Sequence, residues 1–282
     1  MKKLFLLLMA AFLVTWGSYG SKISQQTDSA TQVHEYVQAV TKNVDEQVEP
    51  SGTLKDVYLA GKNVPDYNGH DYYLINRNVP FFSKSDLNKK AGTIKLSEMD
   101  AYGRCRSNFM IVGPETLPHV PREGIGMVRP SGWRTIRYDF IENRYLYNRS
   151  HLLGYQLSGL NAERRNLITG TEYFNKRLML PYENRVAETA KRGFHIAYRV
   201  TPIYKERELV ARGVIMEGYS IEDSGRLHFN VFVYNIEPGV VINYENGDSY
   251  AQDDAASIAE KKAIEKSIRR HYKHKKKITN ST

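Results

Sequence analysis

An α+β fold built on a central antiparallel sheet with flanking helices is the class this sequence predicts. Three observations carry the sheet. Short runs of β-branched and aromatic residues recur between positions 57 and 250, separated by turns rich in Asn, Asp and Gly. Two of those turns, Asp223-Ser224-Gly225 and Glu245-Asn246-Gly247, have hairpin chemistry, which joins neighbouring strands antiparallel. Helical and loop segments interrupt the strands in the middle of the chain instead of alternating with them. Twenty Tyr against two Trp agrees, because Tyr suits half-exposed strand faces. The 282 residues, 41% of them hydrophobic, suffice for one sizeable core or two small ones.

Residues 1–20 have the form of an export signal. Lys2 and Lys3 begin it, an apolar run over 4–14 follows, and Ser18-Tyr19-Gly20 offers a small-residue cleavage site. The run is shorter than the ~20 residues of a membrane span, and an uncleaved anchor is the alternative. Residues 21–56 read as a polar extension, in which Val33, Tyr36, Val37 and Val40 have helical spacing. The main domain is expected over 57–250. Within it, 71–75 and 79–82 read as strands, and a turn at Tyr102-Gly103-Arg104 leads into a strand at 108–112. Residues 113–132 form a long loop of Gly, Pro and Arg, anchored by Trp133; loops of that length are often functional. Residues 135–140 alternate and read as a strand, and 145–148 as a second approach to a His-bearing turn. A helix is expected from Pro181 to about Arg192, with Pro in its first turn and Gly193 as its stop. Residues 194–204, 210–219, 227–234 and 240–244 are four further strands. Residues 251–282 are expected as a helix ending in a basic tail.

The formal charge of +9 is unevenly spread. Nine Lys/Arg and one Glu fall between 261 and 277, and with Lys2 and Lys3 they account for the whole excess. The tail can attract polyanions or an anionic surface, or be simply solvated. Between Arg129 and Arg185, however, ten Lys/Arg face five Asp/Glu, and nine of the ten are Arg. Guanidinium forks match paired phosphate oxygens. The lone Cys105 cannot form an internal disulfide and reads as a buried small side chain.

Chemistry concentrates in residues 145–175, around Asn148-Arg149-Ser150-His151. The stretch offers one base, several guanidiniums and two carboxamides, without a thiol or a multi-carboxylate cluster at the His turn. That set suits phosphodiester hydrolysis, which needs water deprotonated, transition-state charge neutralised and a leaving oxygen stabilised. His151 can be the general base. Arg149, two residues earlier in an extended segment, projects to the same face and can address the same phosphate. Ser150 points the other way and lacks a nucleophile-elbow glycine pattern, so a serine-hydrolase reading is rejected. The Asn175 carboxamide suits a hard cation such as Mg2+. Glu183, one short helix on, can hold a metal-bound water.

Asn148-Arg149-Ser150-His151-Leu152, Asn166, Thr169-Gly170-Thr171 and Asn175 together resemble the DNA/RNA non-specific endonuclease family, in its streptodornase and DNA-entry nuclease branch. The likeness extends over 99–104, 130–133, 199–204, 208–210 and 229–231. It implies a ββα-metal fold with His151 as base, Asn175 as the direct Mg2+ ligand, Asn166 positioning base or phosphate, and Glu183 in the outer shell of the metal. Arg149 matches the Arg of the family's Asp-Arg-Gly-His signature; Asn148 and Ser150 depart from it, and Asn148 loses a charge. Arg164, Arg165 and Arg185 are the further candidates for nucleic-acid contact. The expectation is therefore a secreted or surface-held Mg2+ enzyme, Mn2+ being able to substitute, that cuts DNA, or RNA as well, without sequence preference. The alternative is a nucleic-acid-binding or adhesion protein that kept the fold without catalysis.

Overall fold

The computed structural model describes residues 66–253. The expected export signal, the polar extension with its 33–40 helix, and the basic tail lie outside the described residues. Six strands form one antiparallel sheet: β1 (Tyr72–Leu74), β2 (Ile94–Lys95), β3 (Asn108–Val112), β6 (Ile196–Ile203), β7 (Gly213–Ser220) and β8 (His228–Tyr234), in the order β1-β8-β7-β6-β3-β2. A ribbon of β4 (Tyr147–His151) and β5 (Leu167–Thr171) stands apart from it, as does a second of β9 (Val240–Ile242) and β10 (Ser249–Ala251). The helices are α1 (Lys84–Leu87), α2 (Tyr155–Ser158) and α3 (Leu180–Lys191). A π-helical stretch over Phe174–Met179 runs directly into α3.

Strands β7 and β8 are buried along their whole length because both faces of the sheet are covered. Alternate residues sort cleanly, as the two-residue period of a strand requires. On one face Met110, Tyr198, Met216, Phe229 and Val231 pack with Leu153, Phe174, Val186 and Ala190, which come from the β4–β5 ribbon and its helix. On the other face, Ile215, Phe232 and Tyr234 meet Ile75 and Phe81, while Phe109, Ile111 and Tyr219 meet Phe82. Gly218 makes room for this layering: a Cβ there would lie 2.5 Å from the Phe229 ring. Tyr182 of α3 rests on that ring at 5.1 Å between centroids.

The strand expected at 79–82 is instead an irregular segment. Phe81 and Phe82 are buried under the sheet, and the Phe81 amide donates to Glu217 Oε1 at 2.8 Å. Glu217 is fully buried and would be costly alone, but Arg199 donates to both its oxygens, at 2.6 and 3.0 Å. Residues 135–140 form no strand either, and Arg137↔Tyr145 is an isolated bridge. Their alternation records burial: Ile136, Tyr138 and Phe140 pack with Trp133 around Leu146 and Tyr147. Both hairpin turns are where the sequence puts them, and Ser224, Gly225 and Gly247 have the positive φ such turns require. Cys105 is buried, with its thiol directed at two carbonyls, and burial pushes its pKa up to about 12.

Candidate active site

The site is built by the β4–β5 ribbon and the helix that follows it, a strand-strand-helix unit. In the ribbon, Arg149 pairs with Thr169, Ser150 with Ile168 and His151 with Leu167. Gly170 is required for space, not for torsional freedom. A Cβ there would sit 2.3 Å from Ser150 Oγ and 2.7 Å from the Phe174 ring. Ser150 is thus buried against the helix, consistent with its rejection as a nucleophile.

His151 is 6% exposed, and its Nε2 lies 2.8 Å from the Asn161 carbonyl oxygen. A carbonyl can only accept, so Nε2 carries the proton and Nδ1 keeps its lone pair. Burial, reinforced by the charge of Arg122, pushes the imidazole pKa down to about 4. The ring is therefore neutral at physiological pH.

Asn166 fixes the turn that follows. It is fully buried; its carbonyl oxygen accepts from the Leu153 amide at 2.9 Å, and its nitrogen donates to the Leu153 carbonyl at 2.9 Å. Asn108 of β3 donates to the same Asn166 oxygen at 3.1 Å. This placement ties Asn166 to the turn that follows His151 and leaves its side chain without exposed surface.

Thr171, the last residue of β5, starts the helix. Its hydroxyl accepts from the Phe174 amide at 3.0 Å and donates to the Ile236 carbonyl at 2.6 Å. Asn175 follows in the π-helical stretch. It is half-buried, and its carboxamide enters no hydrogen bond among the described residues. In a regular α-helix, eight residues turn about 80° beyond two full turns. The wider i→i+5 turns between 174 and 179 remove part of that excess and swing Asn175 towards the face that carries Glu183. The same widening accommodates Pro181, which has no N–H for an i−4 carbonyl.

Glu183 lands against Gly154, three residues past His151. A Cβ on Gly154 would meet its carboxylate at 2.8 Å, so glycine lets the carboxylate lie directly on the backbone. The residue keeps some exposed surface, but close packing around the carboxylate raises its pKa to about 7; Gln156 and Arg122 oppose the rise. A carboxylate held there at a cost is a candidate functional group. The sign of the linkage is fixed. The folded state holds this proton above the ordinary range, so stability is full below pH about 4.5 and declines as pH rises towards 7, by roughly 3 kcal/mol at most. Glu183→Gln should match the wild type in urea at pH 4.5 and exceed it by about 2–3 kcal/mol at pH 8 without divalent metal. Equal pH dependence in the two proteins would refute this.

The guanidiniums divide. Arg149 donates to the Val128 and Gly126 carbonyls, each at 2.6 Å, and lies 4.0 Å over the Trp133 ring. It braces the long loop, with three of its five N–H donors left over. Arg164 is exposed, while Arg165 is paired with Glu163 and Glu98. Arg185 lies over Tyr182 and Phe229, about 200° round the helix from Glu183. The structure does not bring Arg185 to Glu183. Arg122, which the sequence did not single out, is the cation that acts on both His151 and Glu183. Tyr155 of α2 holds its loop by donating to the Val120 and Pro121 carbonyls. Asn235 was also missed: fully buried, it accepts from the Thr171 amide and donates to the Thr169 carbonyl, tying β5 to the large sheet.

No group of three or more His, Cys, Asp or Glu among the described residues could hold a metal ion. A cation here would take the unpartnered Asn175 oxygen and complete its shell with water, with Glu183 available to a bound water. That fits an ion that prefers oxygen and retains its waters, as Mg2+ does.

Residues 128–222 match the model of a family described as DNA/RNA non-specific endonuclease. Among solved structures, NucA from Streptococcus agalactiae with magnesium ion bound superposes at a TM-score of 0.60, with 22% identity over 68% of this chain and 94% of that one. The same NucA with no metal bound gives 0.59 and 23% over 68% and 92%.

Proposed function

We propose that this chain, which matches the model of the DNA/RNA non-specific endonuclease family over residues 128–222, is a Mg2+-dependent endonuclease with His151 as its general base. The substrate is DNA, with RNA as an alternative, cut without sequence preference because the available contacts are guanidinium to phosphate. Nδ1 of His151 takes a proton from the water that attacks phosphorus, while the Nε2–H bond to Asn161 holds the ring. Asn175 would hold the cation and Glu183 a water upon it. When bound, Mg2+ supplies charge neutralisation at the transition state and at the leaving 3′ oxygen. Arg122 and the spare donors of Arg149 orient the phosphate. A single neutral protein ligand leaves the cation's charge undiminished, at the cost of weak binding to the free protein. Mn2+ should replace Mg2+, since both accept oxygen ligands.

The observation that carries this reading is the pairing of a neutral, oriented imidazole with a desolvated carboxylate under one arginine. The apolar leader at 4–14 supports export, with the protein either released or held at the surface. Plasmid digestion with Mg2+, Mn2+ or EDTA tests the chemistry. Cleavage restored by either ion and abolished by EDTA is expected. DNA binding without EDTA-sensitive cleavage would favour the catalytically silent alternative.

A further inference from the structure

Next to the catalytic ribbon lies an open depression of about 510 Å³, lined by Arg129, Pro130, Trp133, Arg134, Leu209 and Asn246. We propose that it is a second nucleic-acid contact, which grips the phosphodiester backbone away from the scissile bond and gives the enzyme a preference for long substrates. The inference rests on the nuclease reading and adds to it a binding site that the chemistry itself does not need.

Four features support it. First, the groove adjoins the β4 strand. Arg149 shares its strand face with His151, roughly 7 Å away along the strand, and its guanidinium covers the Trp133 ring that lines the groove. Second, the wall is rigid. Thr169, the cross-strand partner of Arg149, donates to the Ser131 carbonyl at 2.8 Å, and Ser131 donates to the Leu209 carbonyl at 2.6 Å. Gly132 has φ +65° and Gly247 packs directly on it, so the 130–133 turn cannot swing away.

Third, two of the cations at the groove carry uncompensated charge. Arg129 lies 6.0 Å from the Trp133 centroid and Arg149 shares the ring; neither is ion-paired to a carboxylate among the described residues. Burial lowers the pKa of Arg149, and the charge of Arg129 adds to that effect. Such clustering is costly unless an anion lies between them. Arg134 is half-exposed and held by Asp248 at 3.0 Å. Fourth, an aromatic ring between cations is the composition with which proteins track single strands, by stacking and backbone neutralisation together. An acidic peptide would use the cations but not the ring. The distance from His151 means that a strand must extend beyond the nucleotides at the scissile phosphate to reach the groove.

The test compares Arg129→Ala/Arg134→Ala with the wild-type chain on a 30-nucleotide strand and on a tetranucleotide. On the long substrate KM should rise about tenfold with kcat unchanged, and on the short one neither should change. Binding to the long strand in EDTA should lose about 1.5 from its slope of log K against log salt, near 0.7 per contact removed. Asp248→Asn frees Arg134 and should lower KM for the long strand. An unchanged KM and salt slope in the double variant would overturn the proposal, and so would equal losses on both substrates. Wild-type protein that cuts nothing would overturn the nuclease reading instead, and the salt slope in EDTA would still decide the groove.

Discussion

His151→Ala is expected to reduce cleavage by roughly 10²–10⁴-fold, the usual contribution of a positioned general base, while DNA binding survives. The ring is buried, so the variant also leaves a cavity, and lost activity alone could report lost structure. Two readouts separate the causes. Free imidazole should restore part of the rate to His151→Ala if the missing group is a base, and no small molecule would rebuild a collapsed turn. His151→Gln offers an N–H to the Asn161 carbonyl and should recover stability without recovering rate. The pH profile has a definite sign too. A base works deprotonated, so its activity falls as pH drops through its pKa. Burial has pushed that value down to about 4, and the limb belonging to His151 should lie well below the usual histidine range near 6.5. A second limb near 7, absent from Glu183→Gln, would belong to the carboxylate.

Asn175→Ala should leave the fold intact and remove the response to metal. Its carboxamide makes no hydrogen bond among the described residues, and its neighbours Lys176 and Arg177 are tied to Glu172 and Glu142. Urea denaturation in EDTA should therefore coincide with that of the wild type to within about 0.5 kcal/mol, as for other surface changes. At saturating DNA, cleavage at 1 mM Mg2+ should fall by at least about 100-fold, the scale of losing an essential metal contact. Asn175→Asp adds a charge at the ligand position, and should bind Mn2+ more tightly than the wild type by calorimetry. Wild-type Mg2+ dependence in Asn175→Ala would place the ion elsewhere.

How much of this was legible in the sequence depended on how local each signal was. Strands β6, β7 and β8 announce themselves as long β-branched and aromatic runs bounded by turns. Strands β2 and β10 have two and three residues, too few to display a period. Residues 135–140 alternate because a satellite core buries Ile136, Tyr138 and Phe140, and burial and strand pairing leave the same pattern. The motif singles out His151 and Asn175 but says nothing of their environment. That Nε2 is committed to Asn161, or that Glu183 sits against Gly154, depends on contacts between elements. Arg149 shows the limit well. Its spacing from His151 suggested phosphate contact, yet two of its five donors are spent on the loop at 126–128. Arg122 was invisible because an exposed arginine in a long loop resembles any solvated charge. Asn235 gave no signal, since the backbone it satisfies lies more than 60 residues away.

The central claim is that the His151 imidazole and the Asn175 carboxamide face one hydrated divalent ion. Mn2+ titration followed by NMR tests it most directly, because a paramagnetic ion broadens the nuclei close to it. The His151 ring signals and the Asn175 side-chain amide signals should broaden together at low Mn2+, and both effects should vanish in Asn175→Ala. Broadening of one group without the other would contradict it.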